Sequence, residues 1–175
     1  ACRIKDLVDF ASEQGMKSLA ITDHGVMFGA VEFYKKAKEK GIKPIIGCEV
    51  YVAPRSRFDK NHALDSERSH LILLCKNETG YKNLIKLVSS AWTEGFYTKP
   101  RVDHDILSKY SEGLIALSGC LFGEVAKAIS ARDFEFAEKV ALWYKETFGV
   151  GSPVTRQEMC TMIYRAAIRS GVALE

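Results

Sequence analysis

The feature that most constrains this chain is an alternation. Short apolar runs at 18–22, 43–52, 70–75 and 113–117 are separated by longer stretches whose apolar residues recur at helical spacing. Buried strands that take turns with amphipathic helices belong to α/β proteins, and the spacing predicts largely parallel strands.

The helical stretches have readable ends. Ile4, Leu7, Val8, Phe10 and Ala11 give one apolar stripe over 4–14, and Gly15 is placed to stop it. Val31, Tyr34, Ala37 and Lys38 mark a second period over 28–40, closed by Gly41. A third helix is predicted over 78–92, opened by Asn77 or Thr79. Shorter helices are predicted over 103–110 and 121–129, with a long one over 134–148. Residues 53–68 and 93–103 read as loops.

In folds of this class, chemistry gathers at the C-terminal ends of strands. Asp23, His24 and Cys120 each follow a strand directly, so the rule selects them. His70 opens its strand instead. It joins the others only if its strand runs antiparallel to its neighbour or the chain bends there.

Each candidate also has a plain structural role. Asp23-His24-Gly25 offers a hard carboxylate and a borderline imidazole on a sharp turn, a mixture suited to Zn, Mn or Fe. The same triplet makes an Asx-type turn that caps the next helix. Glu49 lies inside an apolar strand, where an unpaired carboxylate is costly, unless it sits on a solvated edge. Gly47, two residues earlier, leaves room for another group to approach. His70 fits a core histidine bonded to backbone. Cys120 fits a small buried residue, or a thiolate favoured by the N-terminus of the following helix.

Composition narrows the class. A net charge of +3 permits a local basic patch without requiring one. Five cysteines with no close pairing motif argue against a disulfide framework and for a reducing cytoplasm. The longest apolar runs, such as Leu71 to Cys75, are about five residues, against roughly 20 for a membrane-spanning helix. The chain opens without Met and with helix close behind, which is the expectation for a piece of something longer.

Order and context add what the single residues lack. The run "LAITDHGVMFGAVEFYKKAKEKGIKPIIGCEVYVAPRSRF" resembles the polymerase-and-histidinol-phosphatase (PHP) domain at the start of bacterial DNA polymerase III alpha subunits. "HLILLCKNETGYKNLIKLVSSAW", "GFYTKPRVDHDIL" and "EGLIALSGCLFGEVAKAI" continue the match in the same order, to about residue 149. The resemblance implies a distorted (β/α) barrel holding up to three metal ions, usually zinc or manganese. It also implies, in some members, 3′ to 5′ exonuclease action on DNA. By position, His24, Glu49, His70 and Cys120 match family ligands. Asp23 adjoins one and is expected to orient it. Lys99 and Arg101 are expected either to be plain solvated surface cations, their default reading, or to lead DNA towards the centre.

The departures are equally specific. The family's opening His-x-His with its nearby Asp, and its closing Asp-x-His, have no counterparts here, so an incomplete barrel with an incomplete cluster is expected. His62 and His104 lie in polar, loop-like contexts and are not expected to substitute. From residue 150, "VGSPVTRQEMCTMIYRAAIRSG" resembles part of an S-layer homology repeat, with Thr155 and Glu158 as a capping box for an appended helix. Three functions are therefore in view: a phosphoesterase unit of a replicative polymerase with DNA and replisome subunits as partners, an inactive structural version of it, and envelope binding through the C-terminal segment.

Overall fold

The computed structural model describes residues 3–149, so the helix expected within 150–175 lies outside the described residues. Helix α1 (Ile4–Glu13) leads into strand β1 (Ser18–His24), helix α2 (Ala30–Glu39) and strand β2 (Lys43–Val52). A one-turn helix α3 (His62–Asp65) precedes strand β3 (Ser69–Cys75) and helix α4 (Glu78–Thr93). The short strand β4 (Arg101–Val102), helix α5 (His104–Lys109), strand β5 (Leu114–Leu117) and helices α6 (Glu124–Ser130) and α7 (Phe134–Phe148) follow.

Local chemistry sets the helix ends. At the close of α1 the Gly15 amide donates to Ser12 O and the Met16 amide to Ala11 O, with Gly15 at φ +70°. That pair of bonds needs a left-handed residue, which glycine supplies without strain. Asn77, not Thr79, caps α4 by accepting the Gly80 amide, and Asp103 and Asp133 do the same for α5 and α7. Helix α6 begins at Glu124, three residues later than its sequence suggests. The turn from Ser118 to Gly123 takes up the difference.

The strands form one mixed sheet in the order β1-β2-β3-β5, with β4 beside the end of β2. β1 and β2 are parallel, joined through α2 as a parallel crossover requires. β3 is antiparallel to both β2 and β5, so it alone is reversed. Its reversal follows from the connection that precedes it. Residues 53–68 carry only the single turn α3 and return the chain along the neighbouring strand. β4 pairs with Tyr51 and Val52 where the β1 partnership has ended.

The sheet has two unlike faces. Ile21, Ile46, Cys48, Val50, Val52, Leu71 and Leu73 point to one side and meet the helices. α1 and α2 bring Val8, Ala11, Phe33 and Ala37; α4 and α5 bring Leu84, Leu87, Ala91, Ile106 and Leu107. Burying a side chain such as Phe33 or Leu73 completely stabilises the fold by roughly 1.5–3 kcal/mol each. The other face carries Thr22, His24, Ile45, Glu49, His70, Ile72, Leu74, Ile115 and Leu117, all half-buried or exposed. Among the described residues the sheet does not close. There it is an open mixed sheet, with β1 and β5 at its edges.

Candidate metal centre

The register brings three expected residues together on the open face. His24 lies directly across from Glu49 in the parallel β1–β2 pair. Glu49 faces Ile72 across the antiparallel β2–β3 pair, which puts His70 on its diagonal, within side-chain reach. His24 Nε2 is 3.3 Å from Glu49 Oε2, and His70 Nδ1 is 2.7 Å from Glu49 Oε1. One ligand atom from each residue lies within 4.8 Å of the other two. Reversal of β3 is what carries His70, a strand-opening residue, to the end of the sheet where β1 finishes.

Cys120 follows β5 in the turn that the Gly119–Gly123 segment makes against His70. The Phe122 carbonyl accepts the His70 amide, and Cys120 Sγ lies 3.6 Å from His70 Nδ1. The thiol is exposed and stands four residues before the first residue of α6. The helix terminus invoked from sequence therefore does not act on it directly.

Gly25 makes the turn out of β1 possible. Its amide donates to Glu49 O at 2.9 Å, extending the ladder, and its φ is +67°. A Cβ there would meet Pro100 Cγ at 2.9 Å and the Tyr51 ring at 3.1 Å. Gly47 is equally constrained, since a Cβ would come within 2.5 Å of Leu73 O.

Three sequence expectations need correction. The Asp23 carboxylate points to the helix-bearing face and accepts the Gly29 amide at 3.2 Å, ahead of α2. It holds the turn between strand and helix, and no hydrogen bond joins it to His24 among the described residues. Arg101 is buried, 1% exposed, and unavailable to DNA. Its guanidinium donates to the carbonyls of Gly95, Asp65, Arg57 and Asp59 at 2.8–3.2 Å. It organises the segment read from sequence as a shapeless loop. Asp65, paired with Arg55 at 2.8 Å, and Arg57, paired with Asp103 and Glu94, complete that framework. His104 is no loop residue. It opens α5, stacks on Trp143 with ring centroids 3.8 Å apart, and meets Glu124, which also accepts the Tyr144 hydroxyl.

The rim of the centre has cations that remain accessible. Lys99 is exposed, with Nζ 5.8 Å from the Tyr51 ring, and that ring lies 5.3 Å from the His70 ring. Arg68 approaches the same tyrosine at 5.7 Å, and its Nε is buried without a hydrogen-bond partner. Sequence reasoning did not select Arg68. Its only signal was its place two residues before His70. Cys48, by contrast, lies in the core beneath the centre, donates to Asp23 O, and has its thiol pushed up to about 12 by burial.

The donor set suits a metal ion: two imidazoles, a carboxylate and a nearby thiol cover the usual ligands of zinc and overlap those of manganese. Among the described residues it offers donors for one ion.

Comparison with known proteins gives a consistent neighbourhood. The PHP domain family matches residues 1–152. DNA polymerase III subunit alpha of Chlamydia trachomatis is 57% identical over 148 residues, covering 84% of this chain and 12% of that protein. The same subunit of Borreliella burgdorferi is 51% identical over 150 residues, 85% of this chain and 13% of its own length. That of Thermus aquaticus is 51% identical over 142 residues, 79% of this chain and 12% of the relative. The chain thus spans about an eighth of the length of these relatives.

Proposed function

Because the chain belongs to the PHP domain family, we propose that it carries part of a metal-dependent phosphoesterase centre of a replicative DNA polymerase alpha subunit. The reaction is hydrolysis of a terminal phosphodiester, in the 3′ to 5′ direction on DNA. The observation that carries this reading is the convergence of His24, Glu49 and His70 from three strands to within 4.8 Å.

His24, Glu49, His70 and Cys120 would hold the ion, zinc or manganese. When bound, it lowers the pKa of a water molecule and draws charge from the phosphate. The chain's own residues have separable roles. Glu49 spans both imidazoles with its two oxygens and keeps their ring nitrogens turned to one point. Tyr51 packs behind His70 and limits its rotation. Lys99 and Arg68 supply positive charge where a phosphate backbone would enter, a positioning role without sequence preference.

DNA and the other subunits of a replisome are the partners of the full-length protein, in the cytoplasm. No helix among the described residues is long and apolar enough to cross a membrane. We place the family unit at 1–149 and treat 150–175 as a separate segment. A second reading, a structural unit without activity, is favoured by the small ligand set. Incubating the purified chain with Mn or Zn and a 3′-labelled oligonucleotide separates the two. Metal-dependent release of the terminal nucleotide, lost in Glu49→Gln, supports the enzyme. One bound ion with no release supports the structural unit.

A further inference from the structure

Two aromatic side chains, one at the end of α4 and one in the segment after it, are left out of the core. The buried stripe of that helix ends at Ala91, and Trp92 falls off it. Its indole is 46% exposed, and Phe96 is 45% exposed. The two rings are nonetheless stacked on one another, centroids 5.4 Å apart and 25° between planes. The stack is tied to the centre at one point: Trp92 Nε1 donates to Gly25 O at 2.9 Å, and Gly25 directly follows His24. The loop beyond Phe96 leans on the same turn through Pro100 and carries Lys99, whose ammonium approaches the Tyr51 ring beside His70.

Flat π-surfaces tied to the turn after His24, with the exposed Lys99 in the same loop, have the chemistry of a single-stranded nucleic acid site. Every base offers a face to stack, and every phosphate a charge to meet Lys99. A duplex keeps its bases stacked on one another and offers the shelf only its last pair. We propose that Trp92 and Phe96 form a base-stacking shelf, and that the substrate this centre receives is a single-stranded DNA end. The inference rests on the phosphoesterase reading for its orientation, since the shelf is tied to the turn that directly follows His24.

The test uses the full 175-residue chain with a labelled oligothymidylate, an abasic oligomer of equal length and a blunt duplex, all in chelator so that nothing is cleaved. The chain is expected to bind oligothymidylate best. Trp92→Ala and Phe96→Ala should each weaken that binding about tenfold and leave abasic binding unchanged, as loss of one stacked base does. Trp92→Phe keeps a ring and should keep most of the affinity, while Phe96→Ala removes no hydrogen bond and guards against a misfolded Trp92 variant. Equal binding of abasic and thymidylate strands, or folded alanine variants that bind thymidylate like the parent, overturns the shelf. Absence of binding to any strand also overturns it and leaves the aromatics as a protein contact. Cleavage is scored separately: stacking without metal-dependent release sinks the phosphoesterase reading alone, and release unaffected by both alanine variants sinks the shelf alone.

Discussion

Glu49 and His70 stand on strands that run in opposite directions, yet His70 Nδ1 lies 2.7 Å from Glu49 Oε1. The contact is a diagonal of the antiparallel register, and it makes Glu49 the hub through which the two histidines are aligned. Glu49→Gln keeps the shape and removes the charge. Zinc or manganese binding by calorimetry should weaken about a hundredfold or more, because losing a ligand costs at least as much as losing a group that supports one. Circular dichroism should be unchanged. Elemental analysis of the parent chain should find about one tightly held ion, as a set of four donors allows; about three would refute this ligand count.

Arg101 and Lys99 should separate stability from binding. Arg101→Ala takes the guanidinium away from four carbonyls, two of them in fully buried bonds, and should cost about 3 kcal/mol or more. Arg101→Lys should rescue little, because one ammonium cannot reach four acceptors spread across a guanidinium fork. Lys99→Ala should leave the urea midpoint where it is and weaken oligonucleotide binding, with a shallower salt dependence.

Acid should act through Asp65. Its hydrogen bonds from Arg55 hold the carboxyl below its ordinary value of 3.8. A depressed folded pKa means that the stabilisation is fully present above that value and is lost as pH falls through the folded one. The stability gap between the parent and Asp65→Asn should therefore be constant near neutrality and narrow below about pH 4. A gap that widens in acid would contradict the assignment.

The thiols should differ sharply in reactivity. Burial pushes Cys48 up to about 12 and Cys75 up to about 11, so neither presents thiolate at neutral pH. Cys120 is exposed. Peptide mapping after brief iodoacetamide treatment at pH 8 should find Cys120 modified ahead of Cys75 and Cys48, with zinc protecting it, and Cys48 untouched until unfolding. The raised value also sets a sign: the Cys48 contribution is intact below the ordinary 9.0 and is lost as pH climbs towards 12. Denaturant midpoints should fall over that interval, and by less in Cys48→Ala.

These residues also mark how much the sequence could say. Strand positions and helix ends were legible because they depend on period and on near neighbours: Gly15, Gly41 and Asp103 act within their own turns. His70 was selected, but its strand's direction was left open, because direction is decided by pairing with β2 far along the chain. Arg101 was misread for the same reason. A basic residue in a polar stretch looks solvated until the carbonyls of 57, 59, 65 and 95 close around it. The Trp92–Phe96 stack has helical spacing but was missed because Phe96 lies past the end of α4, in a segment read as loop.

The alternation along β3 ties two fates to one frame. His70 and Ile72 face outward while Leu71 and Leu73 face the helices, so their roles are separated by a single step of the pleat. A mispaired folding intermediate, shifted by one position against β2, would bury the imidazole and expose two leucines. Such a species could not assemble the centre and would present a greasy strand to solvent. Metal capture thus reports on correct pairing, and an ion present during refolding should act as a proofreader, drawing the population towards the one alignment that can hold it.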